Sequence, residues 1–121
     1  MIGDMPLAIA VRKELIVRNL LDPQSELKLI ELIFPRHPKA PSLWQHRRWC
    51  LNRLEYFIEK CQIPVQIINN ELRLCSHLCD IYPKNYYAWC HRLWLARMMP
   101  LVQVRFPFRI FVIGKSFDTF I

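Results

Sequence analysis

Two stretches of this chain repeat one another at an offset of 45 residues: Pro38-Lys39-Ala40-Pro41-Ser42-Leu43-Trp44-Gln45-His46-Arg47-Arg48-Trp49 and Pro83-Lys84-Asn85-Tyr86-Tyr87-Ala88-Trp89-Cys90-His91-Arg92-Leu93-Trp94. Six positions are identical in that register, and they take up all four tryptophans of the protein. Because Trp is rare, such an alignment is not expected by accident. The register extends upstream, where Glu26, Leu27 and Leu29 stand opposite Glu71, Leu72 and Leu74, and Lys28 stands opposite Arg73. The repeating unit is therefore longer than its motif, and a period in the forties restricts the fold to an array of like units.

Within the first unit, Leu27, Ile30 and Phe34 fall at helical intervals, Pro35 and Pro38 interrupt, and Leu43, Leu51, Leu54 and Ile58 resume the helical spacing. The second unit repeats that plan. Ile68, Leu72, Cys75 and Cys79 step by three or four, Pro83 breaks the pattern, and a second helix is expected from about Asn85 to Arg97. Ahead of both, Leu7, Val11 and Leu15 lie one turn apart with Ile16 and Leu20 on an adjoining face, which predicts one more helix over 5–21. The expected fold is all-α, a stack of αα-hairpins forming an α-solenoid. Residues 1–97 form its repeat domain, with repeats at about 22–63 and 65–97. Such hairpins bury their apolar faces only against neighbours, so two and a half units should be marginally stable alone.

From Met98 onward the design changes. Val104, Phe106, Phe108 and Ile110 alternate with Gln103, Arg105, Pro107 and Arg109 in the manner of a strand. Residues 98–121 are therefore expected to be an atypical apolar and basic tail. It reads as a foreign C-terminus that replaces later repeats, through alternative splicing or truncation, with a native capping strand as the alternative.

The composition excludes several classes. Five cysteines, an odd number placed inside helical patterns, speak against a disulfide framework and for a reducing, cytoplasmic location. No stretch is uninterrupted enough to span a membrane, since Arg105, Arg109 and Lys115 break the most apolar region. With only Gly3 and Gly114, no Gly-rich phosphate loop can form. A net charge of +7 invites a nucleic-acid reading, but the basic residues are spread from Arg12 to Lys115 with no recognition element, so no nucleic-acid partner is expected. Cys75 and Cys79 share one helical face while His77 points from the other, so those three cannot converge on a metal ion.

The string Pro-Lys-Asn-Tyr-x-x-Trp-x-His-Arg-x-Trp at 83–94 resembles the repeat of protein prenyltransferase alpha subunits. The first copy is similar from Trp44 to Trp49 but has Ala40-Pro41 where that family favours Asn-Tyr. The resemblance covers about residues 22–97. It implies a crescent of helical hairpins that wraps a beta subunit and serves mainly as scaffold. Zinc, the prenyl diphosphate and the acceptor cysteine of the protein substrate would sit in that partner, and this chain would bind no cofactor itself. The resemblance also implies that a lysine in a Lys-Asn-Tyr-x-Ala-Trp context reaches the diphosphate, with the nearby tyrosine lining the same site. Lys84 and Tyr86 match that context, whereas Lys39 does not. An ammonium there would stabilise the charge that grows on a departing diphosphate. Against this stands the plain reading of Lys84 as a solvated residue at a helix start, kept in both units as Lys39 and Lys84, and of Tyr86 as a packing residue.

For the repeated residues the structural reading is the stronger. Trp44, Trp49, Trp89 and Trp94 are expected in the core. His46, Arg47, His91 and Arg92 occur once per unit, as a structural residue must and a catalytic one need not. The arginines are expected to bond carbonyls or carboxylates of neighbouring turns, with Asp80, Glu55 and Glu59 as candidate acceptors. The functions in view are an accessory alpha-type subunit of a protein prenyltransferase, inactive alone, and a helical-repeat interaction scaffold with no role in prenylation.

Overall fold

A computed structural model describes residues 5–58 and 63–102. Six α-helices follow one another: α1 (Met5–Val17), α2 (Pro23–Ile33), α3 (Pro41–Asn52), the single turn α4 (Glu55–Ile58), α5 (Val65–Ile81) and α6 (Tyr86–Arg97). Short 3-10 turns follow α2 at Phe34–Arg36 and α6 at Met99–Leu101. Helices α2 and α3 form one hairpin and α5 and α6 the next, with α3 against α6 between them and α1 against the outer side of α3. The all-α hairpin stack expected from the repeat is the architecture found.

Local chemistry explains the boundaries. Asp22 caps α2 by accepting the Gln24 amide at 3.3 Å, and Pro23, whose missing N–H is no loss in the first turn, follows it. Pro35 then stops the helix. Asn85 caps α6 by accepting the Ala88 amide at 3.2 Å, while its repeat counterpart Ala40 makes no side-chain cap before α3. Asn19, at φ 62°, takes the left-handed conformation that ends α1, a geometry Asn tolerates better than most residues.

The core threads through both hairpins. Phe34 and Trp44, both fully buried, meet at 4.3 Å between ring centroids, and Trp44 continues to His91 at 5.2 Å. His91 stacks on Trp94 at 5.5 Å, and Trp94 stacks on Phe57 at 5.9 Å. The Pro38 carbonyl joins the two units a second time by accepting from Trp44 Nε1 at 2.9 Å and from Asn85 Nδ2 at 2.7 Å.

Three expectations are corrected. The helix foreseen to run through Ile58 ends at Asn52, where the Arg53 amide turns back to the Cys50 carbonyl at 3.1 Å. The chain changes direction there, so Leu54 and Phe57 are buried and Ile58 is exposed. In α1 the buried face is Ile9 and Ile16, with Leu7 and Val11 exposed, because the helix packs on α3 through that side. The tryptophans are not uniformly core: Trp44 is fully buried, Trp49 and Trp94 half-buried, and Trp89 is 40% exposed. Met98 packs against the core, and Val102 is buried and bridges Ile63. The alternation at 104–110 lies outside the described residues.

Equivalent tryptophans in unequal surroundings give a direct check. Trp44→Ala should cost about 3–5 kcal/mol in urea unfolding, and Trp89→Ala about 1 kcal/mol. Equal losses would contradict this packing.

Candidate functional site

The repeated polar residues assemble into two buried clusters of the same design. In the first, Glu26 on α2 accepts from Arg12 of α1, Nε to Oε2 at 2.8 Å and Nη2 to Oε1 at 2.8 Å, and from His46 Nε2 on α3 at 2.8 Å. In the second, Glu71 on α5 accepts from Arg47 of α3, Nε to Oε1 at 2.8 Å and Nη2 to Oε2 at 2.6 Å, and from His91 Nε2 on α6 at 2.9 Å. Each glutamate thus takes its histidine from its own hairpin and its arginine from the preceding layer. Arg47 is anchored further by the Leu27 carbonyl at 3.0 Å and Glu31 at 3.1 Å.

Arg47 thus bonds a carbonyl and carboxylates, as expected of the motif arginines, but through Leu27, Glu31 and Glu71 and not through the candidates Asp80 and Glu55; Glu59 lies outside the described residues. Arg92 reaches Ser76 Oγ at 3.0 Å, at the position where Arg47 meets Glu31. The glutamates were the residues the motif reading missed as partners. Their signal was present, since each stands 20 residues ahead of its histidine.

Electrostatics define the protonation states. Burial would push Glu71 up, but hydrogen bonds from Arg47 and His91, with their field, hold it down at about 2. Glu26 is lowered likewise, with burial outweighed by Arg12 and His46. Burial lowers His46 and His91 despite the pull of their glutamates, so both are neutral at pH 7 and donate through Nε2. The unpartnered Nδ1 of His91 agrees, because a bare lone pair is tolerated in the core better than a buried N–H. With His46, Glu26, His91 and Glu71 all at or below 3% exposure, neither cluster can meet a substrate in this conformation. They are joints between layers.

Lys84 and Tyr86 lie elsewhere. Both are exposed at the start of α6, where a pocket of about 390 Å³ is lined by Lys84, Tyr86, Trp89, Cys90 and Leu93. The structure therefore brings the lysine and the tyrosine together with an apolar wall. Buried Asn85 holds the turn between them through its cap and its bond to Pro38. Lys39, the counterpart of Lys84, instead lies over the Tyr82 ring at 4.4 Å and donates to its hydroxyl at 3.2 Å. Three thiols are poor nucleophiles: burial pushes Cys50 up to about 12 and raises Cys75 and Cys79 as well. Among the described residues no three His, Cys, Asp or Glu side chains are grouped to hold a metal ion, and no helix is long and apolar enough to cross a membrane.

The joints imply an acid sensitivity with a definite sign. For each histidine the folded pKa lies below its ordinary 6.5, so unfolding takes up protons as pH falls below that value and stability declines. For Glu71 the folded value of about 2 lies below its ordinary 4.5, and a second loss sets in below pH 4.5. Thermal midpoints from pH 8 to pH 3 should fall in these two stages, and His91→Gln should remove part of the first. A midpoint that is level from pH 7 to pH 5 would contradict the assignment of neutral histidines.

Comparison with known proteins agrees with the geometry. The protein prenyltransferase alpha subunit repeat matches residues 23–54 and 68–99, which are the two hairpins. Over 110 residues the chain is 34% identical to protein prenyltransferase alpha subunit repeat-containing protein 1 of Danio rerio, covering 79% of this chain and 26% of that protein. Over 115 residues it is 35% identical to the Homo sapiens protein of that name, covering 84% and 29%. It is also 29% identical over 73 residues to the geranylgeranyl transferase type-2 subunit alpha of Homo sapiens, covering 60% and 11%. The chain thus spans less than a third of the length of these relatives. With both hairpins matched and their joints built alike, the chain belongs to the protein prenyltransferase alpha subunit repeat family.

Proposed function

We propose that this chain acts as an alpha-type, accessory part of a protein prenyltransferase. It would support the transfer of a farnesyl or geranylgeranyl group to protein cysteines by a beta subunit. Zinc and the prenyl diphosphate would be held by that subunit, and this chain would be inactive alone. The observation that carries the reading is the exposed Lys84 beside Tyr86, on the rim of an apolar pocket, in a turn held by buried Asn85. A fixed ammonium at such a rim suits a departing diphosphate, because it stabilises charge that develops only as the bond breaks. Unit 1 has Ala40-Pro41 in place of Asn85-Tyr86 and so lacks the capped Lys-Asn-Tyr turn, although Lys39 and Tyr82 line a pocket of about 390 Å³ of their own.

A second reading has its own support. Lys39 packs on Tyr82 of the next unit, and Lys84 stands at the equivalent position. A helical-repeat scaffold with no part in prenylation would use both lysines for such packing.

Co-expression with candidate beta subunits, followed by prenyl transfer assays, separates the two. The accessory reading expects a stable complex whose turnover falls roughly 10²-fold in Lys84→Ala, as when one preorganised charge is removed from an active site. Unchanged turnover in the variant complex would reject the diphosphate role. Failure to bind any beta subunit would favour the scaffold.

A further inference from the structure

The cavity of unit 1, about 390 Å³, lies where the two units meet, between the turn that joins α2 to α3, the start of α1 and the residue that follows α5. Arg36, His37, Lys39 and Ser42 line it, Pro6 and the Tyr82 ring give it apolar walls, and none of the described acidic residues faces it. Most charges elsewhere in the fold are balanced: Arg12 is paired with Glu26, Arg18 with Glu14 and Arg47 with Glu71. Arg36 has no carboxylate among the described residues. Lys39 is held by a neutral group, over the Tyr82 ring at 4.4 Å and on its hydroxyl at 3.2 Å. That bond uses one of three ammonium protons and leaves two.

Two permanent cations beside an apolar hollow suit a ligand that joins two negative charges to an apolar group. A carboxylate brings one charge, whereas a phosphate monoester brings nearly two at neutral pH, with oxygens that match the guanidinium fork. The phosphate fills only a small part of the cavity, so the apolar walls are left for the esterified alcohol. We propose that this cavity binds a small phosphate monoester of an aromatic alcohol. Arg36 and Lys39 hold the phosphate, His37 and Ser42 offer further hydrogen bonds, and the organic group packs on Pro6 and Tyr82. The pocket beside Lys84 is of similar size but has that lysine as its one cation, so it does not offer this pairing. The two sites share no residue, and the inference is therefore independent of the prenylation reading. Because its walls come from α1 and both units, a bound ligand would also stabilise their packing by mass action.

Phenyl phosphate is the probe, titrated into the full chain at low salt while the Tyr82 ring protons are followed by NMR. Saturable binding is expected, about tenfold tighter than that of benzoate, which has the ring and one charge, and several-fold tighter than that of inorganic phosphate, which lacks the ring. Arg36→Gln and Lys39→Gln should each weaken it about tenfold, as when one charge-assisted hydrogen bond is removed. Arg73→Gln makes the same charge change at another exposed position and should leave the affinity as it was. All three side chains are exposed, so the variants keep the fold. The absence of a saturable shift at Tyr82 would overturn the proposal. So would benzoate or inorganic phosphate binding as tightly as phenyl phosphate, or equal weakening in Arg73→Gln, which would reduce the effect to net charge.

Discussion

A carboxylate buried between two helical layers is the constraint on which the rest of this structure depends. Glu71 is almost completely removed from water, where an isolated charge would be prohibitively unfavourable. It is tolerated because a two-point guanidinium bond from Arg47 and an imidazole N–H from His91 satisfy both of its oxygens. Those donors come from different hairpins, so the charge is satisfied only when the hairpins meet in one register. Apolar side chains alone would allow sliding, and the aromatic chain from Phe34 through Trp44 and His91 to Trp94 gains its uniqueness from the polar joint beneath it.

Repetition of that joint explains why the histidine and its arginine recur once per unit. His46 and His91 are neutral, fully buried and aimed at carboxylates already committed to arginines. Their chemistry is spent on connection. On the proposed function, the residues specific to it lie where the copies diverge, at Lys84-Asn85-Tyr86 against Lys39-Ala40-Pro41. Asn85 caps its helix and grips Pro38 of the preceding unit, and that rigid turn displays Lys84 and Tyr86 at the rim of a pocket.

The helical hairpins were legible because a 45-residue register in rare residues carries a fold with it. Individual partners were less so. Asp80, Glu55 and Glu59 stood as candidate acceptors for the arginines, whereas Arg47 meets Glu71 of a neighbouring hairpin, and spacing along one helix says nothing of that. Trp89 was taken for core by analogy with Trp44, but burial depends on which layers are present and not on the residue. The break after Asn52 escaped notice because Leu51, Leu54 and Ile58 keep a helical spacing across it, and tertiary packing selected Phe57 in place of Ile58. For the pocket, Lys84 and Tyr86 were singled out by resemblance, while Trp89, Cys90 and Leu93 became its wall only once α6 was placed.

The central claim is that the Arg47–Glu71 pair couples the two units, and a double-mutant cycle of Arg47→Met and Glu71→Leu in urea tests it most directly. Each single change should lose about 3–5 kcal/mol by stranding its buried partner, and the double variant should lose less than the sum by at least about 2 kcal/mol. Additivity to within about 0.5 kcal/mol would show that the two residues act independently and would contradict the account.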